Sequence, residues 1–140
     1  TDIPSTPPDL TKITRFNQTF GNARNFNDSD IASWDVSNIR NMYRTFSDSD
    51  FNQPIESWDV SSVTDMSYMF IYAYRFNQPI NNWNVSSVNN MNYMFQGASA
   101  FNQDLSTWSV NPNVAYCNSF RGNVPAYTLP IPNFTSCNPN

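Results

Sequence analysis

Apolar residues return along this chain with a fixed period. Phe-Asn recurs at Phe26, Phe51, Phe76 and Phe101, always 25 residues apart, and tryptophan follows at Trp34, Trp58, Trp83 and Trp108. A second phenylalanine closes each unit at Phe46, Phe70 and Phe95. Within a unit the apolar positions Ile55, Trp58 and Val60 alternate with polar ones, and Ile31/Trp34/Val36, Ile80/Trp83/Val85 and Leu105/Trp108/Val110 repeat the spacing. Such alternation predicts a short strand. The period then changes: Val63, Met66, Met69 and Phe70 fall at i, i+3, i+6 and i+7, which predicts one face of a short helix. Ser61 and Ser62 precede it as N-caps, and "FNQP" reads as the return loop. The first full unit gains one residue before Ile31 and loses one after Phe46, so its slip is absorbed internally.

The pattern extends outward at both ends. In "LTKITRFNQTF", Leu10, Ile13, Phe16 and Phe20 align with Val60, Val63, Met66 and Phe70, a degenerate half-repeat. Downstream, Val114, Cys117 and Phe120 imitate Val63, Met66 and Met69 before prolines take over. Both ends read as caps, which repeat arrays need over their open cores. The organisation expected is a Pro-rich N-terminal arm over 1–9, repeats over 10–110 and a C-terminal cap over 111–140. One unit cannot bury its apolar face alone, so neighbours must stack, with backbones about 4.8 Å apart. Like charges would repel at that distance. Asn27, Asn52, Asn77 and Asn102 can instead pass hydrogen bonds along a ladder, with Gln53, Gln78 and Gln103 extending it. The strand spacing is that of L-x-x-L-x-L, the strand signature of a leucine-rich repeat; a 25-residue turn can also close as a parallel β-helix.

Composition agrees with stacking. Charged residues are 13% of the chain and aromatics 16%, so polarity comes from amides and hydroxyls. The net charge is −4, with Lys12 the single lysine, and no basic stripe exists to neutralise phosphates, which argues against a nucleic-acid partner. Apolar runs are far below the roughly 20 residues of a transmembrane segment, and no signal peptide stands at the start, so the chain reads as a mature or excised piece. Cys117 and Cys137 bracket a Pro-rich segment; a disulfide there closes a loop of about 20 residues, worth roughly 3 kcal/mol, and suits a secreted location.

Candidate chemistry is sparse. Histidine is absent and the cysteines are expected to be oxidised, which removes the usual general base and thiolate nucleophile. No zinc ligand set exists, no cofactor is implied, and the chain is not expected to be an enzyme. Asp35 and Asp59 share one repeat position, but on an open surface rather than across the cleft a glycosidase needs. The sharper candidates are the outward positions of the predicted strands. Asp35, Asp59, Asn84 and Ser109 form one polar column, and Ser33, Ser57, Asn82 and Thr107 a second. They offer a binding face for a saccharide, a peptide or a neighbouring copy, or a merely solvated surface. "NDSD" and "SDSD" carry loop carboxylates at Asp28, Asp30, Asp48 and Asp50 without a calcium-loop signature. Sequons begin at Asn17, Asn27, Asn84 and Asn133, and tyrosines cluster at Tyr43, Tyr68, Tyr72, Tyr74 and Tyr93.

The units "FNQPIESWDVSSVTDMSYMF" and "FNQPINNWNVSSVNNMNYMF" resemble the repeat of BspA-like leucine-rich-repeat surface proteins, which include mycoplasma surface lipoproteins. The likeness spans about Leu10 to Phe120, and the tail "YTLPIPNFTSC" resembles the segment that closes such repeats. The first turn departs from it, with Phe16 and Thr19 in place of methionines, and no lipoprotein cysteine is present. The expectation is an α/β repeat solenoid: a leucine-rich-repeat-like right-handed coil of about four to five turns, with one short parallel strand and one short helix per turn. The resemblance implies an extracellular or cell-surface adhesion or recognition module whose ligand is a protein or glycan. The rival is a structural protein that self-associates head to tail into filaments or a surface layer.

Overall fold

The computed structural model describes residues 6–140. Residues 1–5 of the expected Pro-rich arm lie outside the described residues, and 6–9 are exposed. From Leu10 onward the chain is a stack of repeat units, each made of consecutive tight turns. Successive units meet in parallel at single bridging residues, Arg15 to Asn41, Asn41 to Asp65, Asp65 to Asn90 and Asn90 to Tyr116.

Beside that column runs a regular ladder. The N–H groups of Met66, Tyr68, Phe70 and Tyr72 donate to the carbonyls of Asn90, Asn92, Met94 and Gln96. Met42, Arg44, Phe46 and Asp48 donate in the same way to Asp65, Ser67, Met69 and Ile71. Residues between the donors close local turns, such as Met69 N–H to the Met66 carbonyl and Ala73 N–H to the Phe70 carbonyl. The third residue of each such turn needs a positive φ, as in a type II turn. Nine non-glycine residues among those described take it, including Arg44, Tyr68, Tyr72 and Tyr93. Each left-handed residue costs about 1 kcal/mol, and at these four sites the conformation aims the N–H along the stack into a bond worth about as much.

The expected α/β solenoid of leucine-rich-repeat type does not form. Among the described residues there is no β-strand or sheet, and the one helix is the 3-10 turn Ser29–Ser33. The predicted helix over Val63 to Phe70 fails because alternate N–H groups leave for the next unit instead of bonding four residues back. Positive φ at Tyr68 and Tyr72 also breaks helical geometry. Ser61 therefore caps no helix; it belongs to a turn held by Asp59. Around Ile55, Trp58 and Val60 the chain turns at once, with Trp58 N–H on the Ile55 carbonyl and Val63 N–H on the Val60 carbonyl. Neither a strand nor the alternative parallel β-helix grows from one bridging residue per unit. The 3-10 turn overlaps the interval Phe26 to Ile31, where the first unit carries its extra residue, and Asp28 caps it by accepting from the Asp30 amide.

Apolar positions of the interior units nonetheless point inward, although Ile13 of the first half-repeat is exposed. Ile55, Val60, Val63, Met66, Met69 and Phe70 are buried, with their counterparts in the neighbouring units. Two columns of phenylalanine form the centre: Phe20, Phe46, Phe70 and Phe95 stack at 5.4–5.6 Å, and Phe26, Phe51, Phe76 and Phe101 at 5.8–6.2 Å. Across the columns, Phe46–Phe51, Phe70–Phe76 and Phe95–Phe101 stack with centroids 4.0 Å apart and nearly parallel planes. Each buried ring contributes roughly 1.5–3 kcal/mol. On the return segment the expected ladder is present. Asn52, Asn77 and Asn102 donate their N–H groups to Oδ1 of Asn27, Asn52 and Asn77 at 2.8–3.0 Å, and Gln53, Gln78 and Gln103 donate to the carbonyls of the same asparagines.

The two ends differ. At the C-terminal end Phe134 and Tyr127 meet Phe120 and Phe101 edge-on at 5.1 and 5.2 Å, and a disulfide joins Cys117 to Cys137. At the N-terminal end Phe20, Phe26 and Trp34 remain only partly buried, so the degenerate first half-repeat does not close the stack.

Candidate functional site

A Trp-x-Val-Ser segment in three units, and Trp-Ser-Val-Asn at Trp108, turns so that Trp and Val face the core, Trp34 and Val110 only partly buried, while the residues between and before them face water. The indole fixes this turn to its neighbour: Nε1 of Trp58, Trp83 and Trp108 donates to the carbonyls of Ile31, Ile55 and Ile80 at 2.9–3.0 Å. The turn is held again by the residue after tryptophan. Oδ1 of Asp35, Asp59 and Asn84 accepts the backbone N–H of Ser37, Ser61 and Ser86 at 3.0–3.1 Å and their hydroxyls at 2.5–2.7 Å. Asp and Asn thus serve the same geometric role, the local side-chain-to-backbone bonding these residues favour.

All eight candidate residues, Ser33, Asp35, Ser57, Asp59, Asn82, Asn84, Thr107 and Ser109, are exposed. Many are anchored as well. Ser57 and Thr107 donate to the carbonyls of Ala32 and Asn81 in the preceding unit at 3.1 Å, and Ser33 donates to the Asp30 carbonyl at 2.7 Å. At Ser109 the pattern slips, because the following turn is longer: Asn111 takes the capping role and accepts the Asn113 N–H at 2.9 Å. The result is a rail of polar groups with fixed orientation along one side of the stack.

The electrostatics are graded. Hydrogen bonds from the Ser37 and Ser61 hydroxyls, with their backbone N–H groups, hold the carboxyls of Asp35 and Asp59 below the usual carboxylate value, and Asp35 slightly opposes this at Asp59. Both are therefore anionic at neutral pH. In the next unit Asn84 keeps the geometry without the charge, so the rail is acidic at its N-terminal half and neutral beyond. Each turn uses one carboxylate oxygen, which leaves the second for a cation or a hydrogen-bond donor. Such an array presents carboxylate, amide and hydroxyl groups outward at repeating intervals.

The loop carboxylates do not converge. Asp50 faces Arg75 at 3.7 Å, and no group of three or more metal-ligating side chains occurs among the described residues. The tyrosine cluster forms a row, with Tyr43 edge-on to Tyr68 at 5.6 Å, Tyr68 stacked on Tyr93 at 4.9 Å and the Arg44 guanidinium 5.1 Å from the Tyr68 ring. A groove of about 510 Å³ lies at the N-terminal end, lined by Thr19, Phe20, Asn22, Ala23, Arg24 and Phe26 among others.

Fold and surface together define a tandem-repeat protein whose units stack through their backbones. The chain belongs to the family described as "Mycoplasma protein of unknown function, DUF285", which matches residues 14–133. No curated protein and no solved structure matches it. Among the described residues no helix is long and apolar enough to cross a membrane. The disulfide and the family are compatible with an extracellular or surface protein.

Proposed function

We propose that this chain is an extracellular or cell-surface recognition module that binds a protein or glycan along the rail from Ser33 to Ser109. One observation carries the reading: eight polar residues at repeating positions are all exposed, and most are locked by hydrogen bonds. Preorganised donors and acceptors lose little entropy on binding. The likeness of the Phe-Asn-Gln units to BspA-like surface proteins supports the same reading. Head-to-tail self-assembly is the weaker alternative, because the disulfide-bound segment lies across the C-terminal end.

A glycan and matrix-protein array probed with the intact chain tests the proposal. The double variant Asp35→Asn, Asp59→Asn preserves the turn, as Asn84 demonstrates, and should weaken binding to cationic or donor-rich ligands; Ser57→Ala should weaken it further. Ligands held equally well by wild type and variants would sink the assignment of this face. Light scattering on the same sample distinguishes the alternative: a 16.1 kDa monomer agrees with recognition, whereas filaments would replace it by the structural role.

A further inference from the structure

Acidic residues outnumber basic ones in this chain by 11 to 7, so carboxylates are in excess for every arginine. Arg75 takes one, Asp50 at 3.7 Å, and Arg121 donates through Nη1 to the Tyr127 carbonyl at 2.9 Å. Arg44 has no such partner. It is partly buried in an interior unit, and among the described residues its guanidinium makes neither an ion pair nor a hydrogen bond. Nε is buried without a partner, whereas Nη1 and Nη2 are not shut off from solvent.

Aromatic rings hold this cation in place. Its central carbon lies 5.1 Å from the Tyr68 ring and 5.7 Å from the Tyr43 ring, and Tyr93 extends the row by stacking on Tyr68 at 4.9 Å. The backbone sets the aim. Arg44 and Tyr68 occupy the same position of successive units, with φ of 54° and 59°, and the Arg44 N–H donates along the stack to the Ser67 carbonyl. Contact with rings offsets part of the lost hydration of a guanidinium but pairs none of its N–H groups. The phenol hydroxyls of Tyr43, Tyr68 and Tyr93 also make no hydrogen bond among the described residues, and none is shut off from solvent. Burial and the two neighbouring tyrosines push the Tyr68 hydroxyl above its ordinary 10.0 against the opposing pull of Arg44, so it remains a donor at neutral pH. Asp65, in the adjoining column of bridging residues, is already engaged: Oδ1 accepts the Ser67 N–H and hydroxyl, and Oδ2 accepts the Asn41 amide at 3.4 Å.

We propose that Arg44, flanked by Tyr43 and Tyr68, is a binding site for an acidic saccharide, one that carries a sulfate or carboxylate on its sugar ring. The Nη1/Nη2 edge can meet two oxygens of such an anion at once, the two-pronged geometry particular to arginine. The surroundings select the sugar. Each tyrosine offers an apolar body with a polar tip, which matches a ring that carries C–H surface and hydroxyls together. An acidic peptide side chain would satisfy the arginine but leave the phenol hydroxyls without partners as water is excluded. None of these residues belongs to the rail, so the site stands or falls independently of it.

Titration of the full chain with a monosulfated disaccharide, followed through the arginine Nε–Hε signals in NMR spectra, tests the site without any substitution. The Arg44 signal should shift saturably, and those of Arg75 and Arg121 should stay in place. By calorimetry Arg44→Gln should weaken binding about tenfold, and Arg44→Lys about fivefold because the charge stays while the two-pronged geometry goes. Arg75→Gln removes the same charge elsewhere and should leave the affinity unchanged. The unsulfated parent disaccharide should not bind, and sodium sulfate or an acidic dipeptide should bind about tenfold more weakly than the sulfated sugar. An unmoved Arg44 signal, or full affinity in a folded Arg44→Gln variant, would overturn the proposal. Equal affinity for sodium sulfate would do the same by making the ligand a free anion, and equal affinity for the dipeptide by making it a protein.

Discussion

The two ends of this stack solve one problem in opposite ways. At the C-terminal end the last ring, Phe120, is fully buried beneath Phe134, and Tyr127 stands edge-on to Phe101 and Phe95. Even the asparagine ladder is terminated there, with Asn102 Oδ1 accepting the N–H groups of both Thr128 and Leu129 at 3.0 Å. Among the described residues the same ring columns begin at Phe20 and Phe26, which are only partly buried. A repeat protein therefore needs dissimilar sequence where it ends and similar sequence where it continues. The C-terminal segment supplies the dissimilarity through prolines, perpendicular rings and a disulfide, whereas the first half-repeat still resembles an interior unit.

Removing one ring from each place gives the largest contrast. Phe76→Ala in the interior should cost about 3–5 kcal/mol, the range for large cavities in packed cores. Phe26→Ala at the N-terminal end should cost about 1–2 kcal/mol, because that ring is only partly buried. Urea denaturation of both variants measures the difference, and equal losses would show that the N-terminal end is covered in solution. Next comes the closed end. Cys117→Ala with Cys137→Ala should lower stability by about 3 kcal/mol through loop entropy and raise hydrogen exchange at Thr128 and Leu129. Loss of stability without that local exchange would mean that the segment stays seated without its disulfide.

Repeat length, inward residues and the asparagine ladder were all legible in the sequence, since each follows from side-chain type at a constant spacing. The backbone was not. Val63, Met66, Met69 and Phe70 satisfy a helical template, yet the same residues turn inward when Tyr68 and Tyr72 take positive φ. Periodicity records which side chains are buried and says nothing of where the N–H groups go, and here they go to the next unit. Bulky tyrosine at left-handed φ is rare, so local propensity gave no warning. The rail was legible for the same reason as the core: Asp59 and Ser57 flank a buried tryptophan and so face outward. Its rigidity was less visible, although Asp-Val-Ser at a repeating position is a recognisable turn signal. The contrast between Trp34 and Trp58 required knowing that Trp58 bonds across units, which no single unit reveals.

That indole bond sharpens the comparison at a smaller scale. Trp58→Phe deletes a buried donor and takes one of two hydrogen bonds from the Ile31 carbonyl, which keeps the Trp34 N–H, and should cost about 0.5–1.5 kcal/mol beyond the lost packing. Among the described residues Trp34→Phe loses no hydrogen bond, and removing a buried N–H that has no partner among them offsets part of the packing loss, so it should cost less than about 1 kcal/mol. Thermal melts of the pair decide it. Equal destabilisation would mean that the Trp34 indole has found an acceptor in solution.

The smallest effect separates the halves by charge. Asp9, Asp35 and Asp59 cap turns in the first units, with carboxyls held below their ordinary 3.8 by hydroxyl and amide hydrogen bonds from Thr11, Ser37 and Ser61. Farther along, Asn84 and Asn111 do the same work without titrating. A depressed folded value means that this stabilisation is fully present above the ordinary carboxylate value and is lost as pH falls through the lowered one. All three groups are exposed, so each contributes little. Along the Trp-x-Val turns the losses nonetheless fall on one end, although Asp104, outside those turns, is lowered in the same way by Ser106. Between pH 4 and pH 2, taken as the approximate window below the ordinary aspartate value, protection of the Ser37 and Ser61 amides should decline while that of Ser86 and Asn113 holds. Asp35→Asn with Asp59→Asn should make the two halves respond alike. If both halves of the wild-type chain lose protection together, unfolding is global, and the asymmetry seen at the ends does not extend into the units between them.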